Sequence, residues 1–157
     1  MKIYLGADHR GVYLKKRIAK IIRGLGYAAV DMGAHDPKVS CDYPKVAYQV
    51  AASVAKSPKD RGILVCMSGI GQMITANKVR GAYAALCYNA ASARLSRRHN
   101  NANILVLGSK FVKAKDIRMI IKTWLTTEFE GGRHKRRVDQ IKKIEKGMNI
   151  YSATQNK

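Results

Sequence analysis

The most constraining feature of this sequence is a continuous apolar segment, Gly62–Cys66, that leads directly into a glycine-containing loop, Ser68–Gly71. A strand without polar alternation is typical of a parallel sheet that carries helices on both faces. A loop of this kind commonly opens a helix, which we expect to continue to about Lys78. The segment therefore predicts an α/β domain built from strand–helix units.

The rest of the chain follows the same alternation. Four more strands are predicted, at Lys2–Leu5, Tyr27–Asp31, Tyr83–Cys87 and Ile104–Leu107. Apolar residues at helical spacing predict the other helices, around Leu14–Leu25, at Tyr43–Ala55, Ala90–Asn100 and Lys113–Thr126, and after Gly131-Gly132 to about Met148. The alternation predicts a parallel sheet with right-handed crossovers, in which ligands bind beyond the carboxyl ends of the strands.

Length and composition indicate a single domain. The chain has 157 residues, of which 46% are hydrophobic, so we expect one domain over 1–149 and a polar C-terminal tail over 150–157. No apolar run approaches the roughly 20 residues of a membrane-spanning helix, and the start does not resemble a targeting segment. Three cysteines without CxxC spacing predict free thiols in a reducing compartment, the cytoplasm.

The formal net charge of +20 leaves several interpretations open. A field this positive attracts nucleic acid, acidic surfaces or anionic small molecules. The basic residues are spread along the chain, with seven Lys or Arg against two acids in Arg133–Lys146. The sequence has no zinc-finger spacing, RNP-type aromatic motif or Arg/Gly-rich tail, so we do not expect specific nucleic-acid binding. A solvated basic surface is the simplest reading, followed by the steering of a phosphorylated substrate.

Cys66 lies where the buried strand meets the glycine loop, which makes it a candidate for chemistry. Amide N–H groups and the dipole at the start of a helix favour an anion there, whether a thiolate or an enolate. The alternative is a buried cysteine that packs as a small hydrophobe. A cysteine phosphatase is excluded because Gln72 stands where its arginine is required, and the sequence has no Walker or GxGxxG motif.

Histidines occur at two other element ends. Asp8-His9 follows the first strand, and His99 lies at the end of the helix after the fourth strand. Position alone also allows Asp8 to be a helix cap beside an exposed His9, and His99 to be a terminal residue favoured by the helix dipole. Both interpretations therefore stay open at this level.

The last predicted helix carries two arginines on its apolar face. At about 100° per residue, Arg133 and Arg137 fall on the same face as Ile141, Ile144 and Met148. Arginines in this position are expected to meet another surface and an anion. Guanidinium groups fit a phosphate well, and a carboxylate partner is less favoured because the chain has only 10 acids. We therefore predict a phosphate site.

A series of short motifs runs in unbroken order from Lys2 to about Met148: Gly6–Gly11, Asp42–Pro44, Gly62–Cys66, Ser68–Gly71, Ala76–Lys78, Ser96–Asn100, Asn103–Leu105 and Glu130–Arg133. Together they resemble the type B ribose-5-phosphate isomerases, whose wider family includes the galactose-6-phosphate isomerase subunits. The resemblance implies a Rossmann-like three-layer domain with a five-stranded parallel sheet and a C-terminal helix that reaches a partner subunit. It also implies a homodimer or homotetramer with shared active sites.

The activity implied by the resemblance is the interconversion of ribose 5-phosphate and ribulose 5-phosphate through an enediolate, in the non-oxidative branch of the pentose phosphate pathway. No metal and no cofactor are implied. The residue matching Cys66 takes the proton from the carbon beside the carbonyl, and the backbone amides of Met67–Gly71 hold the enediolate oxygen. The residue matching His99, from the partner subunit, opens the furanose ring with Asp8.

The remaining site residues are carried over from the same resemblance. The hydroxyl of Ser68 is expected to contribute to catalysis, and Tyr43 is a candidate additional contact. Residues expected to bind substrate are Asp8, His9, Met67, Ser68, Gly69, Ile70, Gly71, Asn100, Lys110, Arg133 and Arg137. Among these, His9 and the two arginines match phosphate ligands, and Asn100 matches a sugar contact. Cys41 and Cys87 receive no role.

Three departures from the family pattern bear on rate and sugar preference. Met67 stands where glycine is usual, Ser68 where threonine is commoner, and Lys110 where an arginine is common. Two alternatives stay open: a six-carbon substrate such as allose 6-phosphate or galactose 6-phosphate, and a basic nucleic-acid-binding protein. The galactose enzyme divides its catalytic residues between two different subunits. Because this chain carries the complete set, a self-sufficient homo-oligomer is favoured.

Overall fold

Five strands pair in parallel to form one sheet in the computed structural model, which describes residues 1–151. The strands are β1 (Lys2–Ala7), β2 (Ala28–Asp31), β3 (Arg61–Cys66), β4 (Ala84–Leu86) and β5 (Ile104–Gly108). The α-helices are α1 (Val12–Gly24), α2 (Tyr43–Ala55), α3 (Ile70–Ala76), α4 (Ala90–Asn100), α5 (Ile117–Thr126) and α6 (Gly132–Glu145). Residues 152–157 of the predicted tail lie outside the described part of the chain.

The central strand β3 explains why the sheet is covered on both faces. Its side chains alternate, so Ile63 and Val65 pack against α1 and α5 on one side, whereas Leu64 packs against α2 on the other. All three are fully buried. The continuous apolar run of this strand is thus the consequence of two hydrophobic layers, and the predicted three-layer α/β architecture is confirmed.

The order of the strands, β2-β1-β3-β5-β4, reverses direction between β1 and β3. The chain leaves β1 to build one half of the sheet and returns to β3 to build the other half. Ala7 of β1 pairs with Val65 of β3 at the carboxyl edge. The residues that follow these two positions, Asp8 and Cys66, therefore lie side by side at the place where parallel α/β sheets bind ligands.

Helix α6 packs on the domain with a different face from the one that carries its isoleucines. His134 and Val138 are its buried residues, whereas Ile141 and Ile144 are 40% and 55% exposed. The apolar face that carries Arg133 is therefore open in the single chain. One histidine and one valine, rather than the isoleucines, fill the space next to α4.

Several element ends also differ from the predicted ones. A short 3-10 turn, Ala114–Asp116, precedes α5, which begins at Ile117 rather than Lys113. Helix α6 ends at Glu145 rather than Met148, because Gly147 adopts a positive φ of 71° that breaks the helix. Within residues 1–151, no helix combines the length and apolar character needed to cross a bilayer.

Candidate active site

The thiol of Cys66 sits at the start of the loop that connects β3 to α3. The amide N–H of Gly69 donates a hydrogen bond of 3.0 Å to Cys66 Sγ. Gly69 has a φ of +85°, which a side chain would strain, and a Cβ there would lie 2.4 Å from Leu86 Cδ1. The backbone N–H groups of Ser68 and Gln72 also face the thiol. Main-chain donors therefore surround one side of the sulfur.

Burial dominates the electrostatics of this thiol. Cys66 is only 6% exposed. Burial raises the pKa of Cys66, the Gly69 amide lowers it in part, and the carboxylate of Asp8 raises it further. The amides at the helix start do stabilise the thiolate, as expected, but in the single chain the free-energy cost of desolvating the thiolate is larger than this stabilisation.

Asp8 both caps a turn and acts on the thiol of Cys66. Its Oδ1 accepts a hydrogen bond of 2.9 Å from the Gly11 amide, so it caps the 3-10 turn His9–Gly11. Its negative charge also raises the pKa of Cys66. The turn packs tightly on β3, since a Cβ on Gly11 would lie 2.5 Å from the carbonyl oxygen of Val65.

His9 follows Asp8 in the 3-10 turn, and Tyr43 packs on the Cys66 loop. The amide N–H of Cys41 donates to His9 Nδ1 at 3.4 Å, which leaves Nε2 as the protonated nitrogen in the neutral tautomer. The ring of Tyr43 lies directly on Gly71, where a Cβ would come within 2.5 Å of the ring. A side chain at position 71 would therefore require the Tyr43 ring to move.

The loop after β5 closes the other side of the Cys66 loop. The Ser109 amide donates to the Cys66 carbonyl at 2.8 Å, and the Lys110 amide donates to the Met67 carbonyl at 3.1 Å. The Met67 side chain extends towards the 3-10 turn after β1, where Arg10 Nη1 lies 3.1 Å from its Sδ. Ser68 Oγ accepts a hydrogen bond of 3.3 Å from the Ile70 amide. We call this group, Asp8, His9, Tyr43, Cys66–Gly71 and Lys110, the base cluster.

A second group forms where α4 ends beside the start of α6. The rings of His99 and His134 stack with their centroids 4.1 Å apart and their planes 5° apart. Glu130 lies 4.0 Å from the Nε2 atom of each ring. Arg98 holds the Glu130 carboxylate through Nε at 3.0 Å and Nη2 at 2.7 Å. We call His99, Glu130, Arg133, His134 and Arg137 the histidine cluster.

The end of α4 is anchored by Arg97, which is 5% exposed. Its guanidinium donates to the Ala102 carbonyl at 2.7 Å and to the Thr127 carbonyl at 3.3 Å. Burial lowers the pKa of Arg97 to about 10. These bonds tie the end of α4 to the segment that leads to Glu130, so His99 is held on a fixed backbone.

His134 was missed in the sequence, where it reads as one more residue of a basic helix. It is 4% exposed, and burial, followed by the charge of His99, lowers its pKa; Glu130 opposes the shift and the two arginines of α6 add to it. A signal was available in the spacing of Glu130 and His134, which are four residues apart and lie on either side of the start of α6. The stacking partner, however, comes from a different helix.

The two arginines of α6 and Asn100 lie near the histidines but reach solvent. Arg133 and Arg137 are exposed and act electrostatically on His134. Asn100 lines a groove of about 420 Å³ together with Ile141 and Ile144. The groove runs along the open edge strand β4, so this part of the molecule presents an apolar surface beside the cluster.

The two clusters lie at opposite ends of the strands, the base cluster at the carboxyl ends and the histidine cluster near the amino ends. Cys66 follows β3 at the carboxyl edge, whereas α4 runs back across the sheet and places His99 near the start of β5. The 11 residues of α4 span about 16 Å. The structure thus brings the predicted residues together in two groups, and within residues 1–151 of one chain it does not join Cys66 to His99.

Comparisons with known proteins agree with this fold. The model of the Ribose/Galactose Isomerase family matches residues 3–141. Ribose-5-phosphate isomerase B of Escherichia coli (strain K12) is 42% identical over 94% of this chain and 99% of its own length.

Solved structures of similar proteins give the same result. That of ribose-5-phosphate isomerase B from Clostridium thermocellum is 47% identical, with a TM-score of 0.90 over 94% of this chain and 99% of that one. The enzyme from Mycoplasma genitalium, with bound ribulose-5-phosphate, is 41% identical, with a TM-score of 0.89 over 92% of this chain and 96% of that one. With one family model spanning nearly the whole domain, and relatives above 40% identity over their full length, the chain belongs to the ribose/galactose isomerase family.

Proposed function

We propose that this protein is a ribose-5-phosphate isomerase that interconverts ribose 5-phosphate and ribulose 5-phosphate through an enediolate. The observation that carries the proposal is the Cys66 thiol at the switch point of the sheet, which accepts a hydrogen bond from the Gly69 amide and whose pKa the Asp8 carboxylate raises. A carbon acid needs a base close to donors that stabilise the oxyanion formed when the proton leaves. The base cluster contains both kinds of group.

The isomerisation itself is assigned to the base cluster. The Cys66 thiolate takes the proton from C2 of the open aldose, and the electron pair moves to the carbonyl oxygen. The amides of Met67–Gly71 receive the resulting enediolate oxygen. Cys66 then returns the proton to C1, while the hydroxyl of Ser68 passes the other proton from O2 to O1. The product is the ketose, with no net gain or loss of protons.

The opening of the sugar ring is assigned to His99. Ribose 5-phosphate is mostly a closed furanose, so its ring oxygen must accept a proton and its anomeric hydroxyl must lose one. His99 supplies the first proton and Asp8 accepts the second. Arg133, Arg137 and His9 hold the phosphate, which places their binding energy far from the reacting carbons and fixes the orientation of the sugar.

This division of labour requires two copies of the chain. We propose a homodimer, or a homotetramer built from such dimers, in which the base cluster of one subunit meets the histidine cluster of the other. The opposite placement of the clusters supports this proposal, as does the open apolar surface formed by Ile141 and Ile144 beside the β4 edge. Helix α6 is then the element that reaches the partner.

The cellular setting follows from the same chemistry. Cys41, Cys66 and Cys87 are all free thiols, which supports a reducing compartment, and we propose the cytoplasm. The reaction belongs to the non-oxidative branch of the pentose phosphate pathway. The high positive charge fits attraction of a phosphorylated substrate, without a requirement for nucleic acid.

A direct assay with purified protein tests the substrate. Ribose 5-phosphate, allose 6-phosphate and galactose 6-phosphate are supplied separately, and the ketose formed is measured. The proposal predicts that the five-carbon substrate has the highest kcat/KM. Turnover confined to a six-carbon phosphate would replace the ribose assignment with the six-carbon alternative, and no turnover of any of them would overturn the isomerase.

A further inference from the structure

The histidine cluster contains one buried side chain to which the proposed reaction gives no role. His134 is 4% exposed, lies flat on His99, and shares with it the carboxylate of Glu130. His99 is 35% exposed in its side chain, so its outer face is open for a substrate. An acid that works on a ring oxygen needs a fixed orientation, because a misplacement of ~1 Å can cost up to about 100-fold in rate.

We propose that His134 is the positioning residue for ring opening. Its buried ring fixes the plane of His99 by stacking, and the Glu130 carboxylate, held by Arg98, faces the Nε2 atoms of both rings. This inference rests on the proposed function, since it deepens the role given to His99. It assigns His134 no contact with the sugar.

The contacts around the stack support this role. Glu130 is immobilised by two guanidinium bonds from Arg98, and its amide donates to the Arg98 carbonyl at 3.0 Å. Three positive charges surround the two rings: Arg133 and Arg137 on α6, and Arg98 on α4. The negative charge of Glu130 comes from the segment before α6. Burial lowers the pKa of His134, and the charges of His99 and the two arginines of α6 lower it further, which favours the neutral form of this buried ring.

The same three side chains, His99, Glu130 and His134, have potential metal-ligand atoms within 4.8 Å of one another. Their geometry favours the proton-handling role. Imidazole lone pairs lie in the ring planes, and planes that are 5° from parallel do not direct two lone pairs to a common point. The Glu130 oxygen nearest His99 is also the one that Arg98 already occupies.

Ring opening can be measured apart from isomerisation. Opening and reclosing of the furanose interconverts the α and β anomers of ribose 5-phosphate, and this exchange does not need the carbon base. In a Cys66→Ala background, exchange between the anomers of [1-¹³C]ribose 5-phosphate is followed by NMR, with EDTA in the buffer. We expect the Cys66→Ala enzyme to accelerate the exchange relative to buffer alone. The double variant Cys66→Ala/His99→Ala should show no such acceleration.

Three variants of His134 in the same background test the inference. His134→Leu and His134→Asn remove the flat ring and are expected to lower the catalysed exchange by about tenfold or more. His134→Phe keeps a flat ring without the nitrogens and is expected to stay within about threefold of the parent. Thermal melting and inhibition of the Cys66-containing forms by inorganic phosphate establish that each variant is folded with its phosphate site intact.

The outcomes separate this inference from the proposed function. If His99→Ala lowers the exchange and His134→Leu or His134→Asn does not, His134 has no positioning role and only this inference fails. If His134→Phe is as slow as His134→Asn, stacking is not the device, and the inference is likewise overturned. If His99→Ala changes neither the exchange nor the turnover of ribose 5-phosphate, the ring-opening role in the proposed function itself fails.

Discussion

The amide of Gly69 donates a 3.0 Å hydrogen bond to the sulfur of Cys66, while the Asp8 carboxylate opposes ionisation of the same sulfur. The thiol is therefore placed between a group that favours its anion and two influences, burial and a negative charge, that disfavour it. Burial is the largest of these. The reactivity of the site consequently depends on how much thiolate is present at a given pH.

The first prediction concerns the pH dependence of kcat/KM. Since only the thiolate can take a proton from carbon, and the pKa of Cys66 is raised, activity should climb with pH through neutrality and into the alkaline range. Asp8→Asn removes a charge that raises this pKa, so its profile should rise at lower pH even if its maximum falls. A profile that is flat from about pH 6 to about pH 9 would contradict the assignment of Cys66 as the base.

The second prediction concerns the phosphate. Arg137→Ala should raise KM for ribose 5-phosphate by roughly 10- to 100-fold, as expected for the loss of a charged hydrogen bond worth about 1.5–3 kcal/mol. Arg136→Ala is the matched control, because Arg136 is also exposed on α6 but is turned by about 100° around the helix axis from Arg137. Equal KM values for the two variants, measured by initial rates, would exclude the phosphate role of Arg137.

The third prediction concerns sites shared between subunits. Cys66→Ala and His99→Ala chains are each expected to be poorly active alone, since every site lacks one group. When the two are unfolded together and refolded as a mixture, half of the dimers pair unlike chains and contain one intact site each. Activity should return to about one quarter of the wild-type value. Recovery would be missing if each site were built within one chain.

The fourth prediction concerns stability. Lys15 is 1% exposed and its ammonium contacts Asp31 and, at 2.6 Å, the Ala34 carbonyl. Asp31→Ala leaves this charge buried without its partner. The loss should be about 1–3 kcal/mol of unfolding free energy, less than for a fully buried pair because the Asp31 side chain is 34% exposed. Asp36→Ala, at an exposed carboxylate in the loop that follows β2, is the control in urea denaturation and should change little.

A double variant sharpens the stability test. Lys15→Met combined with Asp31→Ala removes both charges, so it should recover part of the loss seen in Asp31→Ala. If the double variant is less stable than Asp31→Ala alone, the buried ammonium is not the source of the destabilisation.

The fold was predictable wherever local patterns decide it. Tyr43–Ala55 and Ala90–Asn100 are helices with the predicted bounds, since a proline and an asparagine cap mark their starts. What the sequence could not supply were contacts between distant segments. Lys15 can be buried because it meets Asp31 at the end of β2. His134 stacks on His99 of α4, a helix that ends more than thirty residues earlier in the chain. Likewise, the pKa of Cys66 is raised first by burial among distant segments and then by Asp8, which follows the neighbouring strand β1.

The most direct test of the account is turnover of ribose 5-phosphate by wild-type and Cys66→Ala enzyme, with anomer exchange measured on the same samples. We predict that the variant keeps its melting temperature and its anomer exchange but loses isomerisation by a factor of about 10² to 10⁴. Isomerisation by Cys66→Ala near the wild-type rate would contradict the claim that this sulfur is the carbon base.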